Sequence, residues 1–231
     1  MSNQQNWFAN DLGQIPDRVM GELHAAGIER GKPLVAVDAD EVLVHFAEHF
    51  GEYVSDRGLS FQLTEYRLDS ALRDETGQPL SRDRIGPLVW GFIREQTRWQ
   101  RMIEGAATAL EDIARDAQIV VLTNAPAEMR QDRIDNLADH GIPYPVIMNE
   151  GGKGRALRWL AEAAAAPTIF VDDSVEQLGS AAKHAPQVMR LHLVGSTMLK
   201  PIIGQADTAQ AHPHDWTEAR KIIDTGLGNG I

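Results

Sequence analysis

Asp38 and Asp40 stand one residue apart at the end of the apolar run Leu34-Val35-Ala36-Val37, and three later segments carry the partners such a pair needs. Thr123 follows Ile119-Val120-Val121-Leu122, Asp172 and Asp173 close Thr168-Ile169-Phe170-Val171, and Lys153 is the only lysine between Lys32 and Lys183. A carboxylate can attack phosphorus directly and split one hard displacement into two easier ones, the role that suits Asp38. Asp40 is close enough to protonate a leaving alcohol and then to take a proton from water. Carboxylates gathered at one point repel each other unless a cation lies between them, and a hard ion such as Mg2+ suits carboxylate, carbonyl and phosphate oxygens. Asp38, Asp40 through its main-chain carbonyl, and Asp173 form the expected metal set, with Asp172 beside them. The Thr123 hydroxyl and the turn after it offer donors to phosphoryl oxygens, while Lys153 balances charge as it builds up. Such a donor set belongs to magnesium-dependent phosphoryl transfer.

These residues work together only if the runs before them are strands ending at one edge, because ligands of open α/β sheets bind outside the carboxyl ends of the strands. Short apolar runs alternating with longer amphipathic segments predict strands at 34–38, 119–123, 145–148, 168–172 and 188–194. Helices are expected at about 13–29, 105–116, 127–140, 153–165 and 174–184, giving an α/β fold with a doubly wound parallel sheet. Residues 45–104 are too long for a simple crossover and show helical periodicity without a convincing strand. They read as an inserted α-helical cap of three or four helices, divided at Thr76-Gly77-Gln78-Pro79 and at Gly86-Pro87. The core is then 1–44 with 105–231.

Composition narrows the partners. The 231 residues, 43% hydrophobic, suit a globular core with a smaller insert, and a formal charge of -11 argues against nucleic acid or an anionic membrane. A local cation site still admits a small phosphorylated substrate. The chain has no cysteine, and its first residues lack the basic and apolar regions of a signal peptide, so a cytoplasmic protein is expected, monomer or homodimer.

Lys153 lies in Gly151-Gly152-Lys153-Gly154 at a helix start, where glycines let a phosphate approach the backbone. A Walker A loop is excluded, because Ile147 occupies the place of its first glycine and Gly154 that of its Ser or Thr. With VAVDADEVLV, IVVLTNAP, the lone Lys153 and TIFVDDS in this order, the chain resembles the haloacid dehalogenase-like (HAD) superfamily of phosphatases. The resemblance implies a Rossmann-like core, an aspartyl phosphate on Asp38, acid-base chemistry at Asp40, phosphate contacts from Thr123, Asn124 and Lys153, and Mg2+ near Asp38, Asp40, Asp172 and Asp173. It also implies that Gly105-Ala-Ala-Thr-Ala-Leu110 returns the chain from the cap. Glu41 stands where many members have glycine, adding a carboxylate near the metal, and Gln177 replaces an acid often found four residues after the Asp173 position.

The expected activity is hydrolysis of a small phosphomonoester, a nucleotide or sugar phosphate. A phosphomutase and a catalytically silent phospho-ligand module, the latter supported by Glu41 and Gln177, are the alternatives. Arg82, Arg84, Arg94, Arg98 and Arg101, with Trp90 and Trp99, form either an anion-binding surface or a charged face packed through its tryptophans. His45-Phe46-Ala47-Glu48-His49 matches a zinc-peptidase pentapeptide, but no further ligand-bearing segment accompanies it. His212-Pro213-His214-Asp215 reads as a loop and cap ahead of a helix from Trp216.

Overall fold

A computed structural model of the chain describes residues 13–64 and 71–228. Five parallel strands form the central sheet: β1 (Leu34–Val37), β4 (Gln118–Thr123), β5 (Val146–Met148), β6 (Thr168–Asp172) and β7 (Met189–His192), in the order β5-β4-β1-β6-β7. β1 lies in the centre, with Val37 beside Val121 on one side and Val171 on the other, so its four residues are all buried. A strand covered on both faces must be apolar throughout, which is why these runs do not alternate.

Helices cover both faces. Val35, Val37, Val121 and Val171 pack against α4 (Ala106–Ile113), α5 (Arg130–Asp139) and α8 (Trp216–Gly226) through Leu110, Leu137 and Trp216. Leu34, Ala36, Leu122 and Phe170 pack against α1 (Asp17–Ala25), α6 (Gly154–Ala164) and α7 (Val175–His184) through Leu23, Leu157 and Leu178. Helices α6 and α7 approach closely at Gly154, where an added Cβ would collide with the Ser180 carbonyl, so no larger residue fits at the start of α6. That contact fixes the height at which Lys153 enters the site.

Between β1 and α4 the chain builds α2 (Ala47–Ser55), β2 (Ser60–Phe61), β3 (Leu72–Arg73) and α3 (Arg82–Gln96), then a 3-10 turn at Thr97–Trp99. Phe50, Tyr53, Val54, Leu72, Leu80, Ile85 and Phe92 form a cluster of their own, with Phe92 edge-on to Phe46, Phe50 and Tyr53. The expectation of helices alone in 45–104 is corrected here, because β2 and β3 form an antiparallel pair with Phe61 opposite Leu72. Two residues per strand are too few to show a period of two in sequence. The break expected at Gly86-Pro87 is also absent: Pro87 lies inside α3, and the helix runs on through it to Gln96 although the ring removes one i→i−4 donor. The turn at 76–79 forms as expected, with Asp74 accepting from the N–H groups of Thr76 and Gln78.

The segment leaves and re-enters the core through two adjacent stretches. His45 N donates to Arg101 O at 2.9 Å and Ile103 N to Leu43 O at 2.8 Å, with Val44 bridged antiparallel to Met102. At the other end of the chain Gly226 packs on Met189 and Ile169 and Leu227 is buried.

Candidate active site

The end of β1 is held in a tight turn. The Ala39 carbonyl accepts from Leu43 N at 2.8 Å and Val44 N at 3.0 Å, while Trp216 Nε1 donates to Val42 O at 2.8 Å. Asp38 leaves the strand with its N–H on Val171 O at 2.9 Å, so its carboxyl emerges beside that of the β6 end. Glu41 takes a left-handed backbone, φ 63°, which is unfavourable for a residue with a side chain. Its carboxylate accepts from Ala47 N at 2.5 Å and Phe46 N at 3.1 Å, so it caps the first turn of α2.

At the end of β4, Thr123 is buried and its carbonyl accepts from Asn149 N at 2.7 Å. Asn124 donates to Gly151 O at 2.7 Å and accepts from Asn149 at 2.9 Å, so its amide braces the loop that carries Lys153. The Lys153 N–H donates to Gln177 Oε1 at 2.8 Å, fastening the start of α6 to α7. The residue expected as a departure from acid thus serves as an acceptor for the backbone under Lys153.

The Lys153 ammonium lies between Asp172 Oδ2 at 2.6 Å and Asp38 Oδ1 at 2.7 Å, with all three residues buried. Asp172 Oδ1 accepts from Ser174 N at 2.8 Å, so both its oxygens serve Lys153 and the turn. Asp38, Asp172 and Asp173 each present a carboxylate oxygen within 4.8 Å of the others, and among the described residues no other group of three potential ligands converges in this way. His192 steadies the loop: its Nε2 lies 2.8 Å from Asp173 O and its Nδ1 accepts from Ala206 N at 3.2 Å, an arrangement that puts the proton on Nε2.

Three carboxylates against one ammonium leave two negative charges in a buried site, which one divalent cation would cancel. The donor set therefore fits a hard divalent ion. Burial, with Asp172 and Asp40 nearby, pushes the Asp38 carboxyl up to about 7 despite Lys153. Burial also raises Asp173 well above the usual range, with Asp172, Asp38 and Glu41 adding to it. Burial alone would lower Lys153, but Asp172 and Asp38 more than offset this and hold it up at about 12.

A carboxyl near 3.8 when unfolded and near 7 when folded makes the native state bind the extra proton between those values. Its contribution to stability is present at low pH and is lost as pH rises through about 7. A bound cation requires the ionised forms, and both Asp38 and Asp173 are raised, so metal affinity should rise with pH through about 7, with proton release. Titration calorimetry in two buffers of different ionisation enthalpy measures that release; identical heats would contradict the linkage.

Asp40 is placed differently from the other acids. Its carboxylate is not among those that converge, and its Oδ1 accepts from Arg133 Nη2 of α5 at 2.7 Å. Arg133 was not singled out from the sequence, although one signal was legible: it lies four residues before Leu137, on the apolar face of α5. His45 and His49 do not share a helix face as zinc ligands would, because α2 begins at Ala47, and Arg101 sits against Glu48 and Glu52 there. Asp215 caps α8 by accepting from Glu218 N, as expected. Of the arginines in the insert, Arg98 pairs with Asp139 and Arg101 with Glu48 and Glu52.

No protein-family model matches the sequence, and no curated protein matches it. Solved structures match over most of the chain. A HAD family hydrolase from Deinococcus radiodurans R1 with bound phosphate and sodium superposes with a TM-score of 0.57 at 15% identity, covering 86% of this chain and 97% of its own. The fold is that of the haloacid dehalogenase-like hydrolases. A predicted phosphoglycolate phosphatase from Haemophilus somnus 129PT gives 0.57 at 16% identity over 84% and 98% of the two chains. An L-2-haloacid dehalogenase gives 0.53 at 12% identity over 84% and 100%. The HAD-like fold thus spans neighbours named for different chemistries, and the choice among them rests on the side chains of this site.

Proposed function

We propose that this chain is a divalent-metal-dependent phosphomonoesterase, with Mg2+ as its ion and a small phosphorylated metabolite as its substrate. The observation that carries the reading is the buried Asp38–Lys153–Asp172 arrangement with Asp173 alongside, at the carboxyl ends of β1 and β6. Asp38, Asp173 and the Asp40 carbonyl would hold the ion. When bound, it would neutralise phosphate charge and orient the ester in line with the attacking carboxylate.

An Asp38 oxygen attacks phosphorus, the phosphorus–oxygen ester bond breaks, and the leaving oxygen takes a proton from Asp40. Water then gives a proton to Asp40 while its oxygen attacks the phosphorus, the bond to Asp38 breaks, and phosphate is released. The Thr123 hydroxyl and the N–H groups after it donate to the phosphoryl oxygens, and the Lys153 ammonium offsets their charge throughout. Residues 45–104 act as a cap that shields the first step from bulk solvent and admits the attacking water for the second, around a core of 1–44 and 105–231. No helix among the described residues is long and apolar enough to cross a membrane.

The test is phosphate release from a panel of nucleotides, sugar phosphates and short acid phosphates, with Mg2+ and with EDTA. Release that requires the metal is expected. A panel silent with Mg2+, Mn2+ and Co2+ alike would overturn the reading.

A further inference from the structure

Asp40 is held by more than its position after β1. Arg133, 1% exposed, donates from Nη2 to Asp40 Oδ1 at 2.7 Å. Gln100, also 1% exposed, reaches the same oxygen from Nε2 at 3.4 Å and donates to His45 O at 3.2 Å. Both donors fall on Oδ1, which leaves Oδ2 as the oxygen that exchanges a proton. The arrangement serves either protonation state, because Oδ1 accepts whether Oδ2 carries a proton or not.

The cost of Arg133 indicates that the contact is more than packing. A buried guanidinium is expensive, and replacing a buried ion pair by apolar groups is often neutral or stabilising. Among the described residues Asp40 is its ion-pair partner, and its Nε and Nη1 are buried without a hydrogen-bond partner. The same helix face grips the stretch by which the chain re-enters the core. Asn136 donates to Arg98 O at 3.1 Å and Gln100 O at 2.8 Å, and His140 Nε2 lies 3.0 Å from Gln100 O. Asp40, Arg133 and Gln100 therefore form one unit with the paired stretches 43–45 and 101–103.

We infer that Arg133, assisted by Gln100, is a positioning residue that aims Oδ2 of Asp40 at the leaving oxygen and ties that aim to the junction of the 45–104 segment with the core. The inference rests on the phosphomonoesterase reading and deepens it. Proton donation matters most for an alkoxide leaving group and little for p-nitrophenolate, which departs without one. A loss of aim therefore discriminates between esters, whereas a loosened fold does not.

The experiment compares kcat/KM, which reports the steps through phosphorylation of Asp38, for glycerol phosphate and p-nitrophenyl phosphate. Arg133→Met is expected to lower the alkyl value by about 100-fold and the aryl value by less than about 5-fold. Added to Asp40→Asn, the same substitution is expected to change the alkyl value by less than about 3-fold, since the unit is already broken. Gln100→Ala, with Arg133 intact, should give a smaller loss of the same selectivity and serves if Arg133→Met does not fold. Equal losses on both esters, additive losses with Asp40→Asn, or wild-type alkyl turnover in the Gln100 and Arg133 variants would overturn the positioning role alone. A wild-type protein that hydrolyses neither ester would overturn the phosphomonoesterase reading and the inference with it.

Discussion

Asp38→Asn should reduce metal-dependent phosphate release by on the order of 1000-fold or more, because the amide cannot form the aspartyl phosphate that divides the reaction. The same variant should keep its fold. Asparagine has nearly the shape of aspartate, and the substitution removes a carboxyl that burial pushes up to about 7. At pH 8 without metal, where the wild-type group is held ionised at a cost, the thermal midpoint of the variant should equal or exceed that of wild type. Phosphate release and thermal melts on one preparation measure both effects. Full activity in Asp38→Asn would eliminate the covalent route, and a collapsed melt would show that activity was lost for another reason.

Lys153→Met should be the most damaging substitution for stability. The ammonium is buried between Asp172 and Asp38, and methionine fills a similar volume without its charge. Breaking a buried pair by removing one partner costs about 3–5 kcal/mol, because the remaining charge is left uncompensated. For the variant without metal, that cost should shrink on acidification, as protons take over the neutralising role; the sign is the same as for the raised Asp38 carboxyl. A divalent ion should stabilise Lys153→Met more than wild type, since it supplies the missing positive charge. Phosphate release should fall by about 100-fold or more with the ion present, because the charge at the phosphoryl group is no longer balanced. Urea or thermal unfolding across pH, with and without Mg2+, measures the first effect. A variant as stable as wild type at pH 8 without metal would show that the lysine does not hold the cluster together.

The core was legible for a simple reason. Central parallel strands are buried on both faces and so appear as continuous apolar runs, and β1, β4 and β6 fall within one residue of their expected bounds. Amphipathic helices between them carry a local signal too, since burial on one face repeats at a fixed interval. The insert was harder. Its β2–β3 pair is too short for periodicity, and Pro87, which in sequence reads as punctuation, lies inside α3 without ending it.

The sequence by itself determined where the residues of the candidate site stand along the elements: Asp38, Thr123, Lys153 and Asp172-Asp173 are each tied to the end of an apolar run or the start of a helix, and those boundaries are local properties. It also singled out Glu41 and Gln177, but not their tasks. Only the tertiary structure decided that Glu41 caps α2, that Gln177 Oε1 lies under the Lys153 N–H, and that Asp40 faces Arg133 rather than the other acids. Arg133 lies 93 residues from Asp40, and their contact depends on how α5 packs on the sheet and on the stretch re-entering from the insert. Local hydrophobic patterning places an element, but the partner of a buried charge depends on the relative placement of several elements, which one stretch of sequence does not encode.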